Sequence, residues 1–151
     1  MAMTMSGEYQ LPAPREDVWQ KLNDPEVLKS CIPGCEELEK LSDTEFRAVA
    51  TTKIGPVKAR FKGKVRLTDL DPPNGYRISG EGDGGVAGFA KGGATVALAP
   101  KDGGTLLTYN VEAQIGGKLA QLGQRLVNGA AKKVADDFFQ RFVAAVSAPP
   151  G

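Results

Sequence analysis

The sequence predicts an α+β fold: a curled antiparallel sheet of about six to seven strands around one long C-terminal helix, with two short helices after the first strand. Three patterns carry this expectation. Stretches of period-two alternation follow one another between positions 36 and 115, joined by turns too short for crossover helices. Two proline-punctuated helical segments separate the first strand from the others. One long stretch of helical period closes the chain, and it is the only element long enough to cover a sheet of this size.

Residues 4–11 (TMSGEYQL) form the first strand, with Met5, Gly7, Tyr9 and Leu11 on one face, and Pro12 and Pro14 stop it. REDVWQKL is helical. Pro14 lies near its first turn, Glu16 and Asp17 complement the dipole, and Val18, Trp19 and Leu22 make its apolar side. Asn23-Asp24-Pro25 caps PEVLKSCI, which Pro33-Gly34 ends. Residues 36–41, 44–53 and 57–70 are three strands, with turns at Ser42-Asp43 and Gly55-Pro56. After the strong turn Asp71-Pro72-Pro73-Asn74-Gly75 come strands at 75–82, 89–99 and 104–115, separated by Gly-rich and Lys101-Asp102-Gly103-Gly104 turns. Gly116-Gly117 breaks the last strand. The helix then runs from about 118 to 146, on the order of 40 Å at about 1.5 Å per residue.

A chain of 151 residues suits one domain, expected over residues 1–146, with 147–151 (SAPPG) as the start of a proline-rich linker. Hydrophobic content of 41% and charged content of 25% place it among soluble globular chains. A formal net charge of +1 argues against a general nucleic-acid binder. The absence of histidine removes the usual general base, the Ser-His and Cys-His nucleophile pairs and the commonest zinc ligand. Two cysteines, Cys31 and Cys35, are too few for a disulfide scaffold, and as a C-x₃-C pair alone they make a poor metal site. No signal peptide precedes the first strand, and no stretch has the roughly 20 apolar residues of a membrane span. A cytoplasmic protein is expected.

The alternation says what the sheet encloses. In the strand from Val57, the odd positions Val57, Ala59, Phe61, Gly63, Val65 and Leu67 face the helix. The neighbouring strand turns Tyr76, Ile78, Gly80 and Gly82 inward, and the next turns Gly92, Ala94, Val96 and Leu98 inward. The last strand gives Leu107, Tyr109, Val111, Ala113 and Ile115. Leu119, Leu122, Leu126, Val127, Ala130, Ala131, Val134 and Phe138 mark the apolar face of the helix, interrupted by Ala120, Gly123 and Gly129. This interior is apolar but short of bulk. It predicts a ligand-sized cavity of about 300 to 1,000 Å³, lined by these inward residues together with Tyr9 and with Phe89 of the glycine-rich hairpin. The simpler alternative is close packing of helix on sheet. Strand glycines also mark bends where a sheet curls.

Four further features have two readings each. Lys58, Arg60, Lys62, Lys64 and Arg66 alternate along one strand and form a basic stripe. It is either a docking face for a membrane or an acidic partner, or a solvated sheet face paired with Glu45, Asp69 and Glu81. Phe61 points away from the stripe, so no stacking platform for nucleic acid accompanies it. GEGDGGVAGFAKGG (80–93) lacks the GK-[ST] ending of a phosphate loop, and reads as a flexible hairpin that gates the cavity or as plain turn geometry. Tyr9, Tyr76 and Tyr109 point inward, as packing residues or as hydroxyls that orient a ligand. Inward positions offer no acid or lysine for catalysis, so no enzyme is expected, and Glu36, Glu37 and Glu39 read as solvent-facing.

With these elements in hand, the chain resembles the START-like helix-grip fold of the polyketide cyclase superfamily. More closely, APREDVWQKLNDPEVLKSCIPGCEELE, KIGPVKARFKGKV, GGTLLTYNVEAQIGGKLAQLG and the terminal FFQRF resemble the CoxG-like family of carbon monoxide dehydrogenase proteins. The likeness covers residues 3–146, and CIPGCE and IGGKLAQLG are its most specific parts. It implies a non-catalytic accessory protein of a molybdenum hydroxylase of the carbon monoxide dehydrogenase type. Such a protein carries a hydrophobic ligand, a quinone or a lipid, with no other cofactor. It links the enzyme to the inner face of the cytoplasmic membrane as a peripheral protein. The alternative is an interaction module that recruits or helps mature the dehydrogenase with no ligand role.

Overall fold

The computed structural model describes residues 1–147, so all but the first residue of the expected linker lies outside the described residues. Strand β1 (Ala2–Leu11) is followed by helices α1 (Arg15–Leu22) and α2 (Pro25–Cys31). Strands β2 (Cys35–Lys40), β3 (Glu45–Ile54), β4 (Val57–Asp71), β5 (Gly75–Asp83), β6 (Phe89–Lys101) and β7 (Gly104–Gly116) come next. The chain ends in α3 (Lys118–Gln121) and α4 (Gln124–Ser147). The seven strands form one antiparallel sheet in the order β1-β7-β6-β5-β4-β3-β2. Consecutive strands are neighbours from β2 to β7, and β1 returns to the edge beside β7.

Local chemistry sets the turns. The Asp24 carboxylate accepts the Glu26 backbone N–H at 2.9 Å and caps α2, with Pro25 in its first turn. Asp102 and Gly103 both have positive φ (51° and 81°), the two-residue hairpin that matches the twist of β6 and β7. The buried Thr105 hydroxyl donates to the Ala13 carbonyl at 2.7 Å and ties β7 to the β1–α1 connection.

Helix α4 lies in the grip of the sheet. It rests on β1 on one side and β3 on the other, with α2 against its second half. The buried apolar residues form two clusters instead of one continuous core. The larger joins Leu11, Val18, Leu22, Leu67, Tyr76, Val96, Leu107, Tyr109, Phe139, Phe142 and Val146. The smaller joins Met3, Ile115, Leu119 and Val127, with Phe61, Ile54, Leu122 and Ala131 packed against it.

Two expectations need correction. The C-terminal helix is not continuous: Gly123 has φ +90°, which breaks it into α3 and α4. Its apolar face is also narrower than the sequence suggests. The buried row runs through Val127, Phe139, Phe142 and Val146, whereas Leu126 and Val134 are 45% and 39% exposed. Leu126 lies about 100° round the helix from Val127 and turns away from the sheet, while Val134, about 20° from Val127, sits at the margin of the buried stripe that the phenylalanines centre on the other side. No helix among the described residues is long and apolar enough to cross a membrane.

The glycines divide by what a methyl group would meet. At Gly92 a Cβ would overlap the Glu112 carbonyl oxygen and come within 2.7 Å of Ala113 Cα. At Gly129, in α4, nothing lies within 4 Å. Gly92→Ala is therefore expected to destabilise by about 3 kcal/mol, the upper range for overpacking, and Gly129→Ala to stabilise by about 1 kcal/mol. Urea denaturation of the two variants checks both signs.

Candidate functional site

Register places the inward side chains in rows across the sheet. One row runs Ala48–Gly63–Gly82–Ala90. The next runs Val65–Gly80–Gly92–Ala113, and the third Leu67–Ile78–Ala94–Val111. The fourth, Tyr76–Val96–Tyr109–Gly7, is full-sized until Gly7, over which the Tyr109 ring lies. The first two rows are almost wholly glycine and alanine, so the concave face is empty there. A hollow of about 350 Å³ results, lined by both rows together with Ala50, Phe61, Ile78, Ala94 and Val111. It falls between the two hydrophobic clusters, and Val111 packs against both.

Most of the predicted lining set falls into three groups. Phe61, Gly63, Ile78, Gly80 and Val111 line the hollow. Tyr9, Tyr76, Val96, Leu107, Tyr109 and Phe138 pack in or against the larger cluster, and Leu119, Leu122 and Val127 in or against the smaller. Phe89 is a correction. It lies on the outer face, 44% exposed, because β6 turns Ala90, Gly92 and Ala94 inward and its ring crosses Gly116. Leu126 and Ala130 line a separate groove with Gly123, and exposed Val134 lies outside the hollow lining. The Gly-rich run (80–93) comprises the end of β5, a short 3₁₀ turn at Gly85–Ala87 and the start of β6.

Beyond the third row, the larger cluster is built on aromatic rings. Tyr9 stacks on Phe139 with centroids 4.2 Å apart, and Phe139 on Tyr109 at 5.7 Å. Trp19 meets Tyr76 edge-on at 5.2 Å, the link from α1 to the sheet. The Tyr9 hydroxyl donates to the Asp136 carboxylate of α4, which also receives Lys132 at 2.9 Å. Burial, then the bond to Asp136, pushes the Tyr9 phenol well up; burial alone raises Tyr76. The Tyr9 hydrogen bond and then Lys132 hold Asp136 below the usual carboxylate range.

Sequence patterning alone does not single out Asp136 or Asn128. The Asn128 side-chain oxygen is buried with no hydrogen-bond partner among the described residues. An asparagine within an otherwise apolar helical stretch is the available signal.

The basic stripe lies on the outer face as the alternation requires, with all five side chains exposed. Its arginines are paired: Arg60 with Glu36 at 3.0 Å and Arg66 with Glu45 at 3.4 Å. Lys58, Lys62 and Lys64 close no ion pair among the described residues, although Lys64 stands opposite Glu81. Glu36 also accepts the Thr51 hydroxyl, which with Arg60 lowers its pKa. Cys31 is buried and Cys35 half-buried. Both are free thiols, and burial pushes each up.

Comparisons agree with this geometry. The family model for CoxG, a carbon monoxide dehydrogenase component, matches residues 7–147. A crystal structure of a conserved protein from Geobacillus kaustophilus is 35% identical, with a TM-score of 0.90 over 96% of this chain and 95% of that one. A START superfamily protein from Mycobacterium smegmatis shares the fold at 14% identity, with a TM-score of 0.72 over 95% and 97% of the two chains. A protein from Chromobacterium violaceum does so at 18%, with a TM-score of 0.73 over 97% and 99%. Among curated proteins none matches.

The Tyr9–Asp136 bond has a pH signature. A carboxylate with a lowered pKa adds stability above its unfolded pKa, near 4, and loses it as pH falls through the folded value. Tyr9→Phe removes the first cause of the lowering. The variant is expected to melt below the parent at pH 7, with the gap narrowing as pH drops below about 4. Thermal melts across that range measure it.

Proposed function

The chain belongs to the CoxG family of carbon monoxide dehydrogenase proteins, and we propose on that premise that it is a non-catalytic accessory protein whose hollow carries a hydrophobic ligand for a molybdenum hydroxylase. The single observation that supports this reading is the apolar hollow of about 350 Å³, built from small residues in two adjacent rows. Its volume sits at the low end for small-molecule sites, about 300 to 1,000 Å³. It fits a ring-sized head group, and a long acyl or isoprenoid tail must lie elsewhere. A quinone matches that division: a flat apolar head with two carbonyls, and a tail that stays outside. An oxidising enzyme needs such an electron acceptor, and the acceptor pool is in the membrane. The domain over residues 1–146 then works as one carrier unit.

The unpaired lysines favour a second role for the outer face. Lys58, Lys62 and Lys64 are exposed cations free of ion pairs among the described residues, a surface that suits an acidic patch on the partner enzyme. Recruitment of the dehydrogenase through this face is compatible with carriage. It is the whole function if the hollow never fills. Lys62→Glu with Lys64→Glu separates the two, because it abolishes recruitment and leaves ligand uptake intact.

Ala94→Leu tests the hollow directly. Filling a well-packed core costs about 1–3 kcal/mol, which lowers the melting temperature by roughly 2–12 °C in a domain of this size. Filling an empty space costs almost nothing. The variant is expected to melt within about 2 °C of the parent and to lose the ligand mass that native mass spectrometry finds on the parent. A parent that carries no ligand and refuses added quinones and lipids would falsify the carrier reading.

A further inference from the structure

The topology brings four connections to one end of the molecule: the β3–β4 turn, the β5–β6 loop, the β7–α3 junction and the Gly123 break before α4. This end holds an unusual pairing of apolar tips and free cations. Val86, in the β5–β6 loop between Gly85 and Gly88, is 86% exposed. Phe89 follows it on the outer face, and Leu126 stands in the first turn of α4, both exposed. Leu126 packs its methyl carbons about 3.7–3.8 Å from where a Cβ of Gly55 would stand. Beside it, a groove of about 650 Å³ runs between Ile54-Gly55 and the start of α4.

Around these tips lie Lys53, Lys58, Lys118 and Arg125, all exposed and none within ion-pair distance of a carboxylate among the described residues. Lys53 and Lys58 stand directly opposite each other in the β3–β4 register, a like-charge pair that costs stability in the free protein. Two of the acids nearby are already engaged: Asp83 accepts the Gly85 backbone N–H at 2.8 Å, and Glu36 is held by Arg60 and Thr51. Glu81 lines the outer groove with Phe89 and closes no ion pair among the described residues.

We propose that this end docks on an anionic lipid bilayer. Val86, Phe89 and Leu126 enter the acyl boundary, while Lys53, Lys58, Lys118 and Arg125 sit at the level of the lipid phosphates. The apolar side chains project from turns and are not recessed, so they suit a fluid apolar phase that needs no matching pocket. The cations come from three separate connections, the β3–β4 turn, the β7–α3 junction and the start of α4, which suits a charged plane better than a single acidic ridge on a protein. Phe61 lies in the row of the hollow nearest this end and packs with Ile54 and Leu122. Docking in this orientation therefore sets the hollow's Phe61 flank against the membrane. The proposal rests on the carrier reading for its purpose, but it is measured without any ligand.

The test is sedimentation with vesicles of phosphatidylcholine, with and without phosphatidylglycerol, at low and high salt. The parent is expected to bind the phosphatidylglycerol vesicles and to release with salt. Each cation near an anionic surface contributes about fivefold, so Lys53→Gln with Arg125→Gln should weaken binding roughly 25-fold. Val86→Asp should weaken it about tenfold, and its exposure keeps the fold intact. Lys40→Gln with Lys101→Gln, at the opposite end, should change it less than about twofold. The proposal is overturned if the parent ignores anionic vesicles, or if the opposite-end pair loses as much as Lys53 and Arg125. It is also overturned if the Lys53, Arg125 and Val86 variants lose the dehydrogenase while keeping the vesicles. Uptake of a short-tailed quinone from cyclodextrin separates the two ideas. Uptake without vesicle binding removes the docking end alone, and vesicle binding without uptake removes the carrier alone.

Discussion

The close approach of neighbouring backbones on the concave side of the sheet is the constraint from which the interior follows. At Gly92 the Glu112 carbonyl of the adjacent strand occupies the space of a side chain, and at Gly63 a Cβ would stand 2.7 Å from the Glu81 carbonyl oxygen. Only glycine permits a sheet to bend this tightly at these points. Gly63 and Gly92 belong to the two rows that lack bulk, so the residues that let the sheet curl also leave its concave face empty. Curvature and hollow have one origin.

The helix cannot fill what the curl opens. A helix about 10 Å across, held against β1 and β3, spans the flanks of a curved sheet and stands off its middle. The phenylalanines of α4 fill one half: Phe139 and Phe142 pack with Tyr9, Tyr109 and Leu107. The other half has Val127 and Ala131 against Met3 and Ile115, a smaller set. Two clusters with a gap between them are the result of one helix whose bulk is concentrated in its second half. The Tyr9–Asp136 bond fixes the roll of α4 at that junction and so helps hold the phenylalanine row inward.

Strand order and side-chain direction were legible because period two admits no ambiguity once one face is known. The odd positions of β4 face inward and the even, basic ones face solvent, as the alternation of KARFKGKVR requires. The lack of bulk on the concave face was legible for the same reason, since small residues at inward positions can be counted. What escaped was contact between elements distant in sequence. Leu126 and Val134 satisfy helical period as well as Val127 does, and only the position of the sheet decides which part of that apolar face is covered. Gly123 reads as one more small residue until its positive φ breaks the helix. Phe89 follows a glycine-rich run whose register cannot be counted through, so its side was set by the ladder alone. Asp136 became a partner of Tyr9 across 127 residues, a pairing no local pattern contains.

Charge is distributed over this frame in two distinct ways. On the outer face arginines meet glutamates across strands, Arg60 with Glu36, Arg66 with Glu45 and Arg77 with Glu112, and such exposed pairs add little to stability. Their effect is to leave the remaining cations as the surface's distinguishing feature. At the end formed by the β3–β4 turn and the start of α4, lysine faces lysine and no carboxylate among the described residues closes the pair. Part of the unpaired positive charge of a nearly neutral protein thus lies where its apolar tips project. Folding alone gains nothing from that arrangement, because like charges repel and exposed valine and leucine forfeit burial. Association with a negatively charged apolar phase recovers both losses together, and it does so beside the Phe61 flank of the hollow.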